Sequence, residues 1–127
     1  MSLSDHRLGT AVAVADLATA REFYGTRLGL RVKEEWAEEM TTYECGGGSL
    51  LTVYLSPDYA GSAGGTVGGW DVDDLEAEMS ELESRGVRFE RYDLPNMKTD
   101  ERGIFDAGEM RIAWFKDPEG NTFAINE

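Results

Sequence analysis

Donors that could ligate a metal or move a proton in this 127-residue chain include His6, Glu44, Asp71, Glu101, Asp106 and Glu109. Held together, three of them could support metal-dependent lyase, isomerase or dioxygenase chemistry. Their spacing argues otherwise: the only histidine lies near the N-terminus, and no pair has a ligand spacing such as His-x-Glu. Nucleophilic and phosphate chemistry lack their motifs too. There is no Gly-x-Ser-x-Gly elbow, no glycine-rich loop ending in Lys-Ser or Lys-Thr, and no Cys-His pair with an orienting third residue. Cys45 is the sole cysteine, which excludes an intrachain disulfide and a Cys-rich zinc site. It reads as a small buried hydrophobe in a strand, and Gly46-Gly47-Gly48 reads as a hairpin needing positive φ.

The elements that position these residues repeat. Val14-Ala15-Asp16-Leu17 ends an apolar run and opens a helical pattern, and Val72-Asp73-Asp74-Leu75 does so 58 residues later. The helices stop at Gly29 and Gly86, now 57 residues apart, so one residue is missing from the second helix or its end. Leu8–Val14 alternates bulky and small residues as a two-faced strand. Asp16 caps a helix with Leu17, Ala20, Phe23, Tyr24 and Leu28 on one face. Strands follow at Leu30–Trp36, Thr41–Cys45 and Leu50–Leu55, a βαβββ unit over about residues 7–56.

Pro57–Thr66, rich in Gly, Ser and Ala, reads as a flexible crossover linker. A second unit spans about residues 67–127: strand Val67–Val72, a helix carrying Leu75, Met79 and Leu82, and strand Val87–Tyr92. Asp93–Gly103 has no clear period and could act as a lid. Phe105–Phe115 and Asn121–Asn126 supply the last strands around a turn at Asp117-Pro118-Glu119-Gly120-Asn121. Each half is near the size at which a separate core is marginal, so residues 1–127 are expected to form one domain with a shared core.

A net charge of −13 repels phosphate backbones and anionic membrane surfaces, which excludes nucleic acid and membranes as expected partners. No run is long and apolar enough to span a bilayer, and no signal peptide is evident, so a cytoplasmic location is expected.

The Val-Ala-Asp-Leu start, Phe23-Tyr24 before Leu28-Gly29-Leu30, the second Val-Asp-Asp-Leu, and Trp114-Phe115-Lys116-Asp117-Pro118-Glu119-Gly120-Asn121 occur in order along nearly the whole chain. In this it resembles the glyoxalase, bleomycin-resistance and extradiol-dioxygenase superfamily, also called vicinal oxygen chelate proteins. The resemblance implies an α+β fold of two pseudo-symmetric βαβββ modules that curl into an open β-barrel with helices outside, often as a homodimer. It also implies a divalent metal held at four positions, which in this chain are Gly9, Thr52, Val67 and Ala124. Three offer no side-chain donor and a Thr hydroxyl is a poor substitute for a carboxylate, so no metal and no other cofactor is expected.

If those four positions point inward, alternation puts Ala11, Ala13, Tyr54, Gly69, Asp71 and Thr122 on the same side. Leu8, Val12, Val14, Leu51, Val53 and Leu55 then face the helices, as do Trp70, Val72, Phe123 and Ile125. The interior is lined mostly by small residues, with Tyr54 and Trp114 as aromatic walls, a surface suited to a small organic ligand. Asp71 would need a partner there: a cationic or hydrogen-bond-donating ligand, an arginine such as Arg111, or water. The expected ligand-binding set is therefore Ala11, Thr52, Tyr54, Val67, Gly69, Asp71, Trp114 and Ala124, with no catalytic and no metal residues. The function expected is metal-independent small-molecule binding, resembling the family's drug-sequestering members and taking a cationic or aromatic compound. The alternatives are a metal-dependent enzyme with relocated ligands and a regulatory or partner-binding module with a vestigial cavity.

Overall fold

The computed structural model describes residues 2–127; Met1 lies outside them. Two four-stranded sheets and two helices make an α+β fold. The first sheet comprises β1 (Gly9–Val14), β2 (Arg31–Trp36), β3 (Met40–Glu44) and β4 (Leu50–Leu55), in the spatial order β1-β4-β3-β2. After β5 (Thr66–Asp71) and helix α2 (Leu75–Ser84) comes a two-stranded hairpin of β6 (Asp93–Leu94) and β7 (Met97–Lys98). Then β8 (Ile104–Asp106), β9 (Arg111–Lys116) and β10 (Thr122–Asn126) complete the second sheet, ordered β5-β10-β9-β8. In each sheet the strand leading into a helix pairs in parallel with the last strand of its own half.

Helix α1 (Leu17–Arg21) runs directly into a π-helical stretch, Glu22–Arg27, closed by the Leu28 amide donating to the Phe23 carbonyl at 2.9 Å. A π turn holds one residue more than an α turn. Helix α2 has none, which gives a place for the residue that shortens the repeat from 58 to 57. The extended turn buries Phe23 and Tyr24, and Gly29 at φ 71° lets the chain leave the helix.

Both helices are entered in the same way. Asp16 Oδ1 accepts from the Thr19 amide and Asp74 Oδ1 from the Ala77 amide, each at 3.1 Å, satisfying one of the free donors of a helix start. A distant glutamate takes others: Glu119 Oε2 accepts from Ala15 (2.7 Å) and Asp16 (3.1 Å), and Glu127 Oε1 accepts from Leu75 (2.9 Å).

One apolar cluster joins the halves, including Val12, Val14, Tyr24 and Val53 from the first and Leu75, Met79, Phe115 and Phe123 from the second. Phe115 and Phe123 stack at its centre with ring centroids 5.8 Å apart. The expected inner and outer faces hold for Val12, Val14, Leu51, Val53, Phe123 and Ile125, all buried. Leu8 (87% exposed) and Leu55 (41% exposed) depart from it, because they lie just before β1 and at the end of β4, beyond the cover of the helices.

Three further expectations are corrected. Val87–Tyr92 is no strand; it contributes one bridge, Phe89 to Phe115, beside a 2.8 Å bond from the Glu90 amide to the Trp114 carbonyl. Phe105–Phe115 is two strands, since the chain reverses between β8 and β9 through Gly108 at φ 91°. Cys45 sits after β3, half-buried, where it precedes a short 3-10 turn with Gly47 and Gly48 at positive φ.

Candidate functional site

The inner face of the first sheet is built from register. Ala11 pairs with Thr52, which pairs with Thr42, and the next inner row runs Ala13, Tyr54, Met40, Trp36. The Thr52 hydroxyl shares a 3.2 Å hydrogen bond with Thr42. In the second sheet Gly69 pairs with Ala124, which pairs with Trp114, and Asp71 pairs with Asn126. The sheets approach at β1 and β5, where a Cβ added to Gly68 would lie 3.2 Å from Thr10 Cγ2. At Gly69 an added Cβ would lie 2.7 Å from the Ala124 carbonyl oxygen, so this position takes no side chain without a backbone shift.

The expected ligand-binding residues are divided among separate surfaces. Ala11, Tyr54 and Val67 line one groove of about 240 Å³, with Ala13 and, from the linker, Tyr59 and Ser62. Gly69 lines a second, at the seam of the sheets, with Thr10, Leu50 and Trp70. Asp71 borders a third, between the second sheet and the helix ends, near Leu28, Leu30 and Glu78. Trp114 is met edge-on by Tyr92 at 5.6 Å and flanked by Phe105 at 6.4 Å, so its ring is already packed. Thr52 and Ala124 line none of these three grooves.

Asp71 finds a partner of a different kind from those expected. Its Oδ1 accepts from the Asn126 side-chain amide at 2.5 Å. Arg111 is engaged elsewhere, by Glu76 at 2.7 Å and Glu127 at 3.0 Å. The two carboxylates raise the Arg111 pKa, the Glu76 hydrogen bond contributing most. A neutral amide satisfies one carboxylate lone pair and leaves the charge of Asp71 in place, exposed at the strand end.

The linker forms one wall of the first groove. Its turns are closed by the Tyr59 amide on the Ser56 carbonyl (3.1 Å) and the Ser62 amide and hydroxyl on the Tyr59 carbonyl (3.1 and 2.7 Å). Gly61, at φ 67°, lies so close to the Glu119 carbonyl that an added Cβ would stand 2.1 Å from its oxygen. The segment from Asp117 to Asn121 is thus a junction as well as a turn. Asp117 accepts from the Tyr24 hydroxyl, from the Glu119 and Asn121 amides and from the Asn121 side chain, which also donates to the Ala13 carbonyl at 3.1 Å. The Gly, Ser and Ala content of the linker does not mark Tyr59 as a wall residue. A lone aromatic among Gly, Ser and Ala was the available signal.

A divalent metal, which the superfamily resemblance implies, does not fit the donors present. Gly9, Val67 and Ala124 supply no side-chain ligand, and the Thr52 hydroxyl is engaged by Thr42. Among the described residues no three His, Cys, Asp or Glu side chains converge as a metal site. Nor is any helix among them long and apolar enough to cross a membrane.

Comparison with known proteins places these features in a family. No curated protein matches the chain at a significant level. Similar solved structures include a glyoxalase / bleomycin resistance protein from Catenulispora Acidiphila DSM 44928, 26% identical, TM-score 0.69, over 95% of this chain and 96% of that one. TnmS3, an antibiotic binding protein from Streptomyces sp. CB03234, is 23% identical with TM-score 0.65 over 95% and 93% of the two chains. Lactoylglutathione lyase from Agrobacterium tumefaciens is 21% identical with TM-score 0.61 over 96% and 92%. The last two share the fold at identities too low to carry an activity across. With a family model matching residues 6–125, the chain belongs to the Glyoxalase/Bleomycin resistance protein/Dioxygenase superfamily.

Proposed function

We propose that this protein binds a small organic molecule without a metal and without covalent chemistry. The observation that carries this reading is the groove beside Ala11 and Val67. There Val67, one of the four positions where the family resemblance expects a metal ligand, offers no donor, while Tyr54 and Tyr59 present aromatic surface. Aromatic walls with a few polar groups are the usual lining of a small-molecule site. On this reading the two sheets are halves of an open, curved barrel made from pseudo-symmetric modules, and the protein acts as a cytoplasmic homodimer sequestering an aromatic or cationic compound. The exposed Trp36 and Val32 on edge strand β2 and the exposed Leu8 and Leu55 offer apolar surface for the second copy.

Two measurements test the proposal. Elemental analysis of protein purified without chelator or nickel resin is expected to find no stoichiometric divalent ion; a tightly held equivalent would overturn metal independence. A thermal-shift screen of aromatic and cationic small molecules is expected to find compounds that raise Tm, because a ligand of the native state stabilises it. A screen in which nothing shifts the transition would remove the binding reading.

A further inference from the structure

Resting on that reading, we infer that the groove between β1, β4 and the linker takes an uncharged planar aromatic molecule of one or two rings, with Tyr59 setting its specificity. Three observations carry this, each independent of family likeness.

The lining has no charged side chain: Ala11, Ala13 and Val67 are small or apolar, Tyr54 and Tyr59 are aromatic, and Ser62 is a neutral hydroxyl. A cation placed there would give up water without meeting a carboxylate. An anion would do so against a net charge of −13. Asp71, the carboxylate that would suit a cation, borders the other groove beside Trp70 and Leu28.

The two tyrosines leave ring surface open to the groove. Tyr54 is 37% exposed and Tyr59 68% exposed, and neither has an aromatic partner among the described residues, unlike Trp114 with its two. A planar ligand would gain offset or edge contacts with these rings. At about 240 Å³ the groove is smaller than the roughly 300–1,000 Å³ that hold drug-sized molecules, which sets the one- or two-ring limit.

The wall carrying Tyr59 is held before any ligand arrives. Ser62 fixes the Tyr59 carbonyl through both its amide and its hydroxyl, and Gly61 seats the linker against Glu119. Such preorganisation reduces the ordering cost of binding.

Three probes of equal ring size separate the charge classes: 2-naphthol, N-methylquinolinium and 2-naphthoate, titrated into the full chain while amide NMR shifts are followed. The expected result is that 2-naphthol alone saturates, moving the amides of Ala11, Ala13, Tyr54, Ser62 and Val67. Tyr59→Ala, an exposed site whose loss leaves the core intact, is expected to weaken it about three- to tenfold, the scale of one aromatic contact. Asp71→Asn is expected to change nothing. Tighter binding of N-methylquinolinium in this groove, or unchanged affinity in Tyr59→Ala, overturns the inference. Binding of the cation beside Asp71 and Trp70 alone overturns it too, yet leaves small-molecule binding standing; no amide moving with any probe overturns both.

Discussion

The Tyr24 hydroxyl donates a 2.6 Å hydrogen bond to Asp117 Oδ2, joining the π-helical turn of the first half to the β9–β10 turn of the second, 93 residues away. Both residues are buried, and among the described residues the phenol is the only group from the first half that bonds this carboxylate directly. Tyr24→Phe removes a donor from a buried charged acceptor and is expected to cost about 1.5–3 kcal/mol, read from the urea midpoint at unchanged m-value.

The same contact predicts alkaline behaviour. Burial, followed by the Asp117 charge, pushes the Tyr24 pKa far above its ordinary value of 10.0. A raised folded-state pKa gives stability that is fully present below the unfolded pKa and lost as pH rises beyond it. Stability should therefore fall above about pH 10, and ultraviolet titration should show at least one of the five tyrosines ionising only as the chain unfolds. Tyr24 appearing as a phenolate in the native protein would contradict the burial.

At the acid end the sign reverses. The Thr19 amide hydrogen bond holds Asp16 below its ordinary 3.8, and the Ile104 amide does the same for Asp100. Depressed carboxylates stabilise above their unfolded pKa and lose that contribution as pH falls through the folded one. Calorimetric midpoints are expected to be flat from neutrality to about pH 4.5 and to drop below pH 4. Asp100→Asn should be less stable at neutral pH and show a shallower drop.

Gly61→Ala must place a Cβ 2.1 Å from the Glu119 carbonyl oxygen at a φ of 67°. The left-handed backbone alone costs about 1–3 kcal/mol for a residue with a side chain, so the linker is expected to lift from its seat. Faster proteolytic cleavage within residues 57–66, with Tm lowered by a few degrees, is the expected readout.

Among the described residues Ala37 is the one other than glycine with positive φ, at 46°. Arg21 holds it, donating from Nη2 to the Ala37 carbonyl and from Nε to the buried Thr41 hydroxyl, each at 2.7 Å. Ala37→Gly is expected to stabilise by up to about 1 kcal/mol, since glycine adopts this conformation without strain. Arg21→Ala should destabilise by about 1–2 kcal/mol by leaving Thr41 unpaired. Denaturant midpoints of both variants check the pair.

What the sequence disclosed follows from how locally it is encoded. The faces of β1, β4 and β10 could be read because alternation along a strand reports which side is covered, as Val12, Val53 and Phe123 show. The helix caps Asp16 and Asp74 were legible because capping needs one residue type at one offset. The roles of Glu119 and Glu127 were not, since their partners lie in distant segments and no spacing signals them. The site was read least well. Strand parity groups Tyr54, Asp71 and Trp114 on inner faces, but it cannot tell that helix ends, the hairpin's neighbouring aromatics and the linker would divide those faces into separate grooves.

The π turn at Glu22–Arg27 also sets which changes of length the chain can survive. Removing one residue there would restore α geometry while leaving the helix on either side close to its present phase, because the wider turn is where the extra residue is absorbed. Gly25, with open space around its missing Cβ, is the residue best placed to be replaced or lost. The first helix therefore has a tolerance to shortening by one residue that α2, which has no such turn, lacks.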